Sequence, residues 1–144
     1  MLRRRICAWL GVGALTLTQR GFAFFAANVR GKLAPGTKPT LVNSETRIAL
    51  AGDAGTMLVL ADRRLSGFDF ELTGEPAGEP GVFRVGPLHL RSMVVHQNGK
   101  RLMVTYWCEV CSIRTFTPGV CMCCQDETAV DLKEKLESDD IRTR

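Results

Sequence analysis

The sequence has no histidine after either of its two Cys-x-x-Cys pairs and no recognisable signature of an enzyme. The missing histidine argues against covalently bound haem, because Ser112 and Gln125 occupy the positions where a Cys-x-x-Cys-His motif needs it. The missing enzyme signature leaves binding or interaction as the simplest interpretation. We therefore expect a protein without catalytic activity.

The main part of the chain also lacks an excess of either charge. Four of the 19 basic residues precede Ala27, namely Arg3, Arg4, Arg5 and Arg20, and no acidic residue does. The 15 bases that remain balance the 15 acids, so the net charge of +4 belongs to the N-terminal segment. Proteins that bind nucleic acids by neutralising phosphates carry an excess of bases, so we expect no nucleic-acid partner.

The first 26 residues have the composition of a secretory signal peptide. Arginines at positions 3–5 precede an apolar run at residues 6–17, which is too short to span a bilayer of about 30 Å as a helix. We predict a signal peptide over residues 1–26 and a periplasmic or otherwise exported protein. Phe24 interrupts a small-residue cleavage motif before Ala27. An uncleaved protein that this segment tethers to the membrane is therefore an alternative.

Residues 27–92 contain short apolar-rich segments separated by turn residues. Residues 68–72 alternate between apolar and acidic side chains, and residues 57–60 form a continuous apolar run; both patterns indicate strands. Residues 61–67 suit a single helical turn that ends at glycine, and residues 74–81 have the composition of a loop. About five strands with a short inserted helix predict a mainly β fold built on a small OB-like barrel.

A β-hairpin is the clearest local prediction. The dipeptide Asn98-Gly99 separates two apolar-rich arms at residues 93–97 and 100–107, and this dipeptide favours a type I′ turn. The second arm therefore delivers Cys108 at the end of a strand.

The cysteine pairs flank another short strand. Residues 112–116 alternate, and residues 117–119 form a turn before the second pair. This order predicts a zinc-ribbon-like knot. The hairpin and the four-cysteine segment together form a predicted unit at residues 93–131, followed by a flexible tail at residues 132–144. Arg114, on the strand between the pairs, would either face solvent or bind an acid or a partner.

Four cysteines have the spacing of ligands to one metal ion. Cys108 and Cys111 form the first pair, and Cys121 and Cys124 form the second, with Cys123 as a spare or alternate ligand. Four thiolates favour tetrahedral zinc with Zn–S bonds of about 2.3 Å, and this requires sulfurs within about 4 Å of one another. Iron uses the same ligands, so the choice between zinc and iron stays open.

Oxidation is the competing interpretation of the same cysteines. An exported protein meets an oxidising compartment, where cysteines pair more often than they bind metal. The five clustered cysteines are an odd number, which argues against a complete disulfide framework, and the adjacent Cys123 and Cys124 would favour thiol exchange. Disulfide staples and redox chemistry therefore remain alternatives to a structural metal.

The segment from Trp107 to Gln125 reads WC-x2-C-x-IRT-x-TPG-x-C-x-CCQ. It resembles the endings of a family of uncharacterised exported bacterial proteins, in which a small β domain precedes this segment. The resemblance implies export and a cysteine-rich tail, and it supplies no activity. We predict an exported, non-enzymatic binding or interaction module with a structural zinc site and an unknown protein partner. The alternative is a periplasmic thiol-disulfide or electron-transfer protein.

Overall fold

The computed structural model describes residues 26–87 and 89–134. The signal peptide predicted at residues 1–26, apart from its last residue, and residues 135–144 of the predicted tail lie outside the described residues. Within the described ranges, nine strands belong to one sheet, accompanied by two short α-helices. The elements in chain order are β1 (Ala27–Ala34), β2 (Thr40–Val42), β3 (Arg47–Ala51), α1 (Ala54–Leu60), β4 (Asp69–Pro76), β5 (Val82–Val85), α2 (His89–Ser92), β6 (Met93–Gln97), β7 (Lys100–Cys108), β8 (Ile113–Thr115) and β9 (Ala129–Glu134).

The first five strands close into a barrel. β1 pairs with β2, β2 with β3, β3 with β5, β5 with β4, and β4 returns to β1. The pair of β3 with β5 is parallel, and the other four pairs are antiparallel. α1 lies between β3 and β4 in the chain. The predicted mainly β fold, with a small OB-like barrel and a cysteine cluster, is confirmed.

The apolar run at residues 57–60 is helical and not the strand that the sequence predicts. Asp53 caps α1, because its side chain accepts a hydrogen bond of 2.7 Å from the amide of Thr56. Val59 and Leu60 are fully buried in the core. A short apolar run fits a buried helix as well as a buried strand, so the capping aspartate is the signal that separates the two.

The alternating pattern of β4 places its two faces in different surroundings. Phe70 and Leu72 are fully buried, whereas Asp69 and Glu71 bind arginine and histidine side chains of neighbouring strands. This is the arrangement expected of a strand with one face on the core. The buried core cluster consists of Leu33, Leu41, Leu50, Val59, Leu60, Leu65, Phe70, Leu72, Phe83, Val85, Met93, Val95, Leu102, Val104 and Tyr106.

The helical turn before β4 and the loop after it are both shorter than the sequence predicts. The helical turn expected within residues 61–67 is a 3-10 turn at Arg63–Leu65. β4 extends into residues 74–81, which were expected to form a loop. Gly74 permits the close pairing of β4 with β5, because a Cβ atom there would collide with the backbone carbonyl of Arg84.

The predicted hairpin is confirmed. Asn98 and Gly99 have φ angles of 52° and 74°, as a type I′ turn between β6 and β7 requires. β6 also pairs with β4 of the barrel, so the sheet continues across the domain boundary predicted between residues 92 and 93. That division into domains stays a prediction. β7 pairs with β6 and carries Cys108 as its last residue.

β9 is a strand where the sequence analysis places the end of the knot and a flexible tail. It pairs antiparallel with β7, from Ala129 opposite Trp107 to Glu134 opposite Leu102. Residues 132–134 of the predicted tail are therefore part of the sheet. Alternation over residues 129–134 is visible in the sequence, but the charged residues beyond it suggested a solvated end.

Candidate metal centre

One cysteine pair precedes β8 in the chain and the other follows it. Cys108 ends β7 and Cys111 lies in the turn that follows, while Cys121 and Cys124 lie in the loop between β8 and β9. The four Sγ atoms all lie within 4.8 Å of one another, and those of Cys108 and Cys124 are 3.4 Å apart. The structure therefore brings together the four sulfurs that the sequence selects as ligands.

The spacing of the sulfurs fits a tetrahedral metal site after a small adjustment. Four sulfurs at about 2.3 Å from a central zinc lie about 3.8 Å from one another. The largest separation allowed among the four Sγ atoms, 4.8 Å, exceeds this ideal sulfur–sulfur distance, and the 3.4 Å between the Sγ atoms of Cys108 and Cys124 is shorter than it. Shifts of about 1 Å or less would bring every sulfur to bonding distance of one ion. The metal-binding role of the four cysteines stays a prediction.

Both pairs adopt the same local turn. The residue after the second cysteine has a left-handed backbone in each case, with φ of 53° at Ser112 and 65° at Gln125. The amide of Ser112 donates to the carbonyl of Cys108 at 2.9 Å, and the amide of Gln125 donates to the carbonyl of Cys121 at 3.0 Å. Neither residue is glycine, so each turn stores strain of about 1 kcal/mol or more. The surrounding contacts must hold both turns in place.

Backbone amides point at the first sulfur of each pair. The amide of Cys111 donates to Cys108 Sγ at 3.4 Å. The amides of Cys124 and Cys123 donate in the same way to the sulfur of Cys121 and lower the pKa of that thiol to about 7. Such donors stabilise a thiolate, which is the form that binds metal. The turn at Cys121 therefore favours the thiolate form of its buried sulfur.

Hydrogen bonds within the cluster oppose ionisation of Cys111. The bonds with the thiols of Cys123 and Cys124 are the main reason that the pKa of Cys111 is raised, so its thiolate is disfavoured. A divalent ion at the centre reverses this, because it stabilises each thiolate that it binds. The donor set of four sulfurs suits zinc or iron and not magnesium or calcium, which prefer oxygen.

Burial separates the fifth cysteine from the other four. Cys108 and Cys121 are each 1% exposed, Cys111 and Cys124 are half-buried, and Cys123 is exposed. None of the five cysteines that the structure describes is in a disulfide. Cys124 therefore completes the cluster, and Cys123 is the extra thiol at its surface.

Arg114 joins three strands beside the cysteines. Its Nη1 donates to Thr105 Oγ1 and to Asp131 Oδ2, both at 2.6 Å, and its guanidinium lies 5.0 Å from the centre of the Trp107 ring. Burial opposes ionisation of Asp131, but the hydrogen bond from Arg114 and the charge of Lys133 lower its pKa. Of the alternatives predicted for Arg114, binding an acid is the one observed. That acid lies in β9, a strand that was not predicted, so its identity did not follow from the sequence.

Two more contacts hold residues 109–128, here called the cysteine segment, against the barrel. Arg64 Nη1 donates to the carbonyl of Thr128 at 2.6 Å, and its guanidinium lies 5.4 Å from the centre of the Tyr106 ring. His89 Nε2 donates to the carbonyl of Phe116 at 2.7 Å. The His89 side chain therefore binds the backbone of the cysteine segment and contributes no ligand to the sulfur cluster.

Comparisons with other proteins identify no family. A scan against protein-family models finds no match, and searches of curated proteins and of solved structures find none either. None of the helices in residues 26–87 and 89–134 has the length and apolar character needed to cross a bilayer. The barrel and the sulfur cluster themselves are therefore the basis for a functional assignment.

Proposed function

We propose that this protein is an exported, non-enzymatic binding or interaction module whose four clustered cysteines hold a structural zinc ion. The observation that carries the proposal is the convergence of Cys108, Cys111, Cys121 and Cys124 within 4.8 Å. Four protein ligands fill a tetrahedral zinc site and leave no open position for a substrate. A stabilising role follows, because metal binding contributes directly to the folding of the segment that supplies the ligands.

Export is supported by the sequence. Residues 1–26 have the charge and apolar pattern of a signal peptide, and residues 107–125 resemble the endings of exported bacterial proteins. The partner is a protein not yet identified. Fractionation of cells that express the full-length sequence tests export. The protein should be found outside the cytoplasm, and replacement of the apolar residues 6–17 by polar ones should keep it in the cytoplasm.

Metal analysis tests the zinc site. The full chain, purified without chelator, should contain one zinc per molecule by inductively coupled plasma mass spectrometry, since the four sulfurs form a single cluster. Cys124→Ser should lose the ion, and Cys123→Ser is the matched control that should keep it. Stoichiometric iron would contradict the zinc site and favour electron transfer, while two disulfides and no metal would contradict any metal site.

A second candidate function is thiol-disulfide or electron transfer by the same cysteines. The exposure of Cys123, whose thiol interacts with that of Cys111, favours it, because an accessible thiol beside a cluster can exchange. Rapid titration of all five thiols within residues 108–124 or a visible iron chromophore would support this function. Four unreactive thiols and one reactive thiol among these five, with the reactive one removed by Cys123→Ser, would support the structural zinc site instead. Cys7→Ala in every sample keeps the sixth thiol of the chain out of the count.

A further inference from the structure

A polar cleft of about 480 Å³ lies where β7 leads into the cysteine segment. The side chains with a charge or an aromatic ring that line it are Trp107, Glu109, Arg114, Asp131 and Lys133. The four cysteines proposed as metal ligands are not among the lining residues. Holding a metal therefore does not account for the chemistry of this cleft.

The register of the sheet brings these side chains to one face. Trp107 on β7 pairs with Arg114 on β8 at one edge and with Ala129 on β9 at the other. Because side chains alternate along a strand, Asp131 and Lys133 lie on the same face as Ala129. The indole of β7 is therefore flanked by a base from β8 on one side and by an acid and a base from β9 on the other.

The Arg114 guanidinium is fixed in place but has donors to spare. Its Nη1 donates to Asp131 Oδ2 and to Oγ1 of Thr105, which is fully buried, and the guanidinium lies over the Trp107 ring. Within residues 26–87 and 89–134, its Nε and Nη2 donate to no group. This second edge of a guanidinium is a fork that binds a carboxylate through two parallel hydrogen bonds.

Two bases share one carboxylate oxygen in the cleft. Arg114 Nη1 lies 2.6 Å and Lys133 Nζ lies 3.4 Å from the same atom, Asp131 Oδ2. Each base carries one positive charge, and a single carboxylate neutralises only one of them. An excess of one positive charge therefore remains beside the half-buried Trp107 ring, where solvent screens it less than on an open surface. This part of the cleft attracts a second oxyanion.

Glu109 limits which oxyanion the cleft accepts. Its side chain is exposed and forms no ion pair within the described part of the chain. One negative charge from a ligand balances the excess positive charge of the two bases. A second negative charge would meet Glu109 with no base left to offset the repulsion. The cleft therefore favours a carboxylate over a phosphate group or a nucleic-acid strand.

The exposure of the cleft favours a ligand that belongs to a larger molecule. Glu109, Ala129 and Lys133 are exposed, so these walls do not enclose a free small molecule in the way that a small-molecule pocket does. An acidic side chain on the surface of another protein reaches such a cleft without being enclosed by it. Its methylene groups also suit the apolar surface of Trp107.

We propose that the cleft binds the side chain of a glutamate or an aspartate of the partner protein, with its carboxylate between Arg114 and Lys133 and its methylene groups against Trp107. The interaction role proposed above is the premise, and the cleft adds the chemistry of the partner. Asp131 holds the two bases in position, and Glu109 disfavours anions of higher charge.

Titration of the full chain with two synthetic peptides, followed by nuclear magnetic resonance, tests the proposal. The first peptide, acetyl-Ala-Gly-Glu-Gly-Ala-amide, has one carboxylate, and the second has glutamine in place of glutamate. The first should shift the resonances of Arg114 Nε and of the Trp107 indole with a dissociation constant of about 1 mM, and the second should leave them unchanged. Absence of a shift at about 10 mM of the first peptide, or equal shifts with both peptides, would overturn the proposal.

Lys133→Met removes one of the two bases and leaves the hydrogen bond between Arg114 and Asp131 in place. It should weaken binding of the glutamate peptide at least about threefold. Lys100→Met is the matched control, because Lys100 is also an exposed lysine that pairs with one acid, Glu134, and neither residue lines the cleft. It should leave the dissociation constant unchanged. Equal weakening in the two variants would show a general effect of positive charge and would overturn the proposal.

Inorganic phosphate and acetate test the choice of ligand. Phosphate should bind the native chain at least about threefold more weakly than the glutamate peptide, and Glu109→Gln should remove this difference. Phosphate that binds the native chain as tightly as the peptide would assign the cleft to any oxyanion and overturn the choice of a carboxylate. Acetate that binds as tightly as the peptide would assign it to a free small carboxylate and overturn the choice of a protein side chain.

Zinc content measured on the same samples separates the cleft from the metal site. One zinc per molecule without peptide binding would overturn the proposal for the cleft and leave the structural zinc site supported. Peptide binding by a chain that contains no zinc would contradict the metal site and leave the cleft supported.

Discussion

The OB-like barrel buries large apolar side chains, whereas the cysteine segment buries little besides sulfur and hydroxyl groups. Phe70 and Leu72 are fully buried in the barrel, while the buried residues within 109–128 are Cys121 and Thr128. Apolar burial stabilises a fold without any ligand, at roughly 25 cal/mol per Å². A segment with two small buried residues needs another source of order, and the sulfur cluster with its hydrogen bonds can supply it.

Metal removal should produce the largest difference in stability between the barrel and the cysteine segment. Structural zinc sites contribute apparent binding free energies of about 10–16 kcal/mol in zinc-finger peptides at neutral pH. Chelation of the zinc-loaded chain should therefore abolish the exchange protection of residues 109–128 and leave that of β1 to β5 in place. Simultaneous loss of protection in both regions would break the comparison, because it would show that the barrel also depends on the ion.

A cavity in the barrel core should have the next largest effect. Phe70→Ala should lower the free energy of unfolding by about 3–5 kcal/mol, measured by denaturant titration, since it removes a fully buried aromatic ring. Leu58→Ala is the control, because Leu58 is 53% exposed and its loss should change the value by less than about 0.5 kcal/mol. Equal effects of the two changes would show that the core is placed elsewhere.

Loss of the Arg114 network should act mainly on the cysteine side. Arg114→Met removes the hydrogen bonds to Asp131 and Thr105, each of which contributes about 0.5–1.5 kcal/mol, while Lys133 still pairs with Asp131. Exchange in β8 and β9 should rise, with the barrel strands unaffected. Arg47→Met, at an exposed barrel position, should change neither region. A rise of exchange throughout the sheet would show that β9 supports the barrel too.

Acid should produce the smallest effect on the barrel. The hydrogen bond from Arg30 lowers the pKa of Asp69, so this carboxyl binds protons more weakly in the folded state than in the unfolded chain. Its contribution is present above the unfolded pKa of about 3.9 and is lost as the pH falls through the lowered value. Exposure of the pair limits the change to less than about 1 kcal/mol. Asp69→Asn should remove this part of the pH dependence in denaturant titrations between pH 5 and pH 2, and an unchanged profile would contradict it.

The sequence predicts those parts of the protein that depend on local chemistry. Asn98-Gly99 determines a hairpin because both residues accept a positive φ, and the spacing of the cysteines limits which sulfurs can meet. The barrel follows from several short strands with an inserted helix. Each of these features can be read from neighbouring residues.

Features that depend on distant pairing are harder to predict. Residues 57–60 are helical although the run itself has no helical or strand period, and Val59 and Leu60 belong to a core cluster formed largely by residues distant in the chain. β9 is ordered by its pairing with β7, which begins more than twenty residues earlier in the chain. The same pairing brings Asp131 to Arg114. Sequence patterns do not reveal which edge of a sheet is vacant for a later strand.

The burial pattern of β7 has a consequence for how the sulfur cluster tolerates changes in chain length. Leu102, Val104, Tyr106 and Cys108 are all buried and are spaced by two, so the Cys108 sulfur shares a face with core residues. Inserting one residue before Cys108 would turn its sulfur to the opposite face, whereas inserting two would restore the direction. The cluster is therefore sensitive to whether an insertion is odd or even, and it should tolerate the longer insertion better than the shorter one.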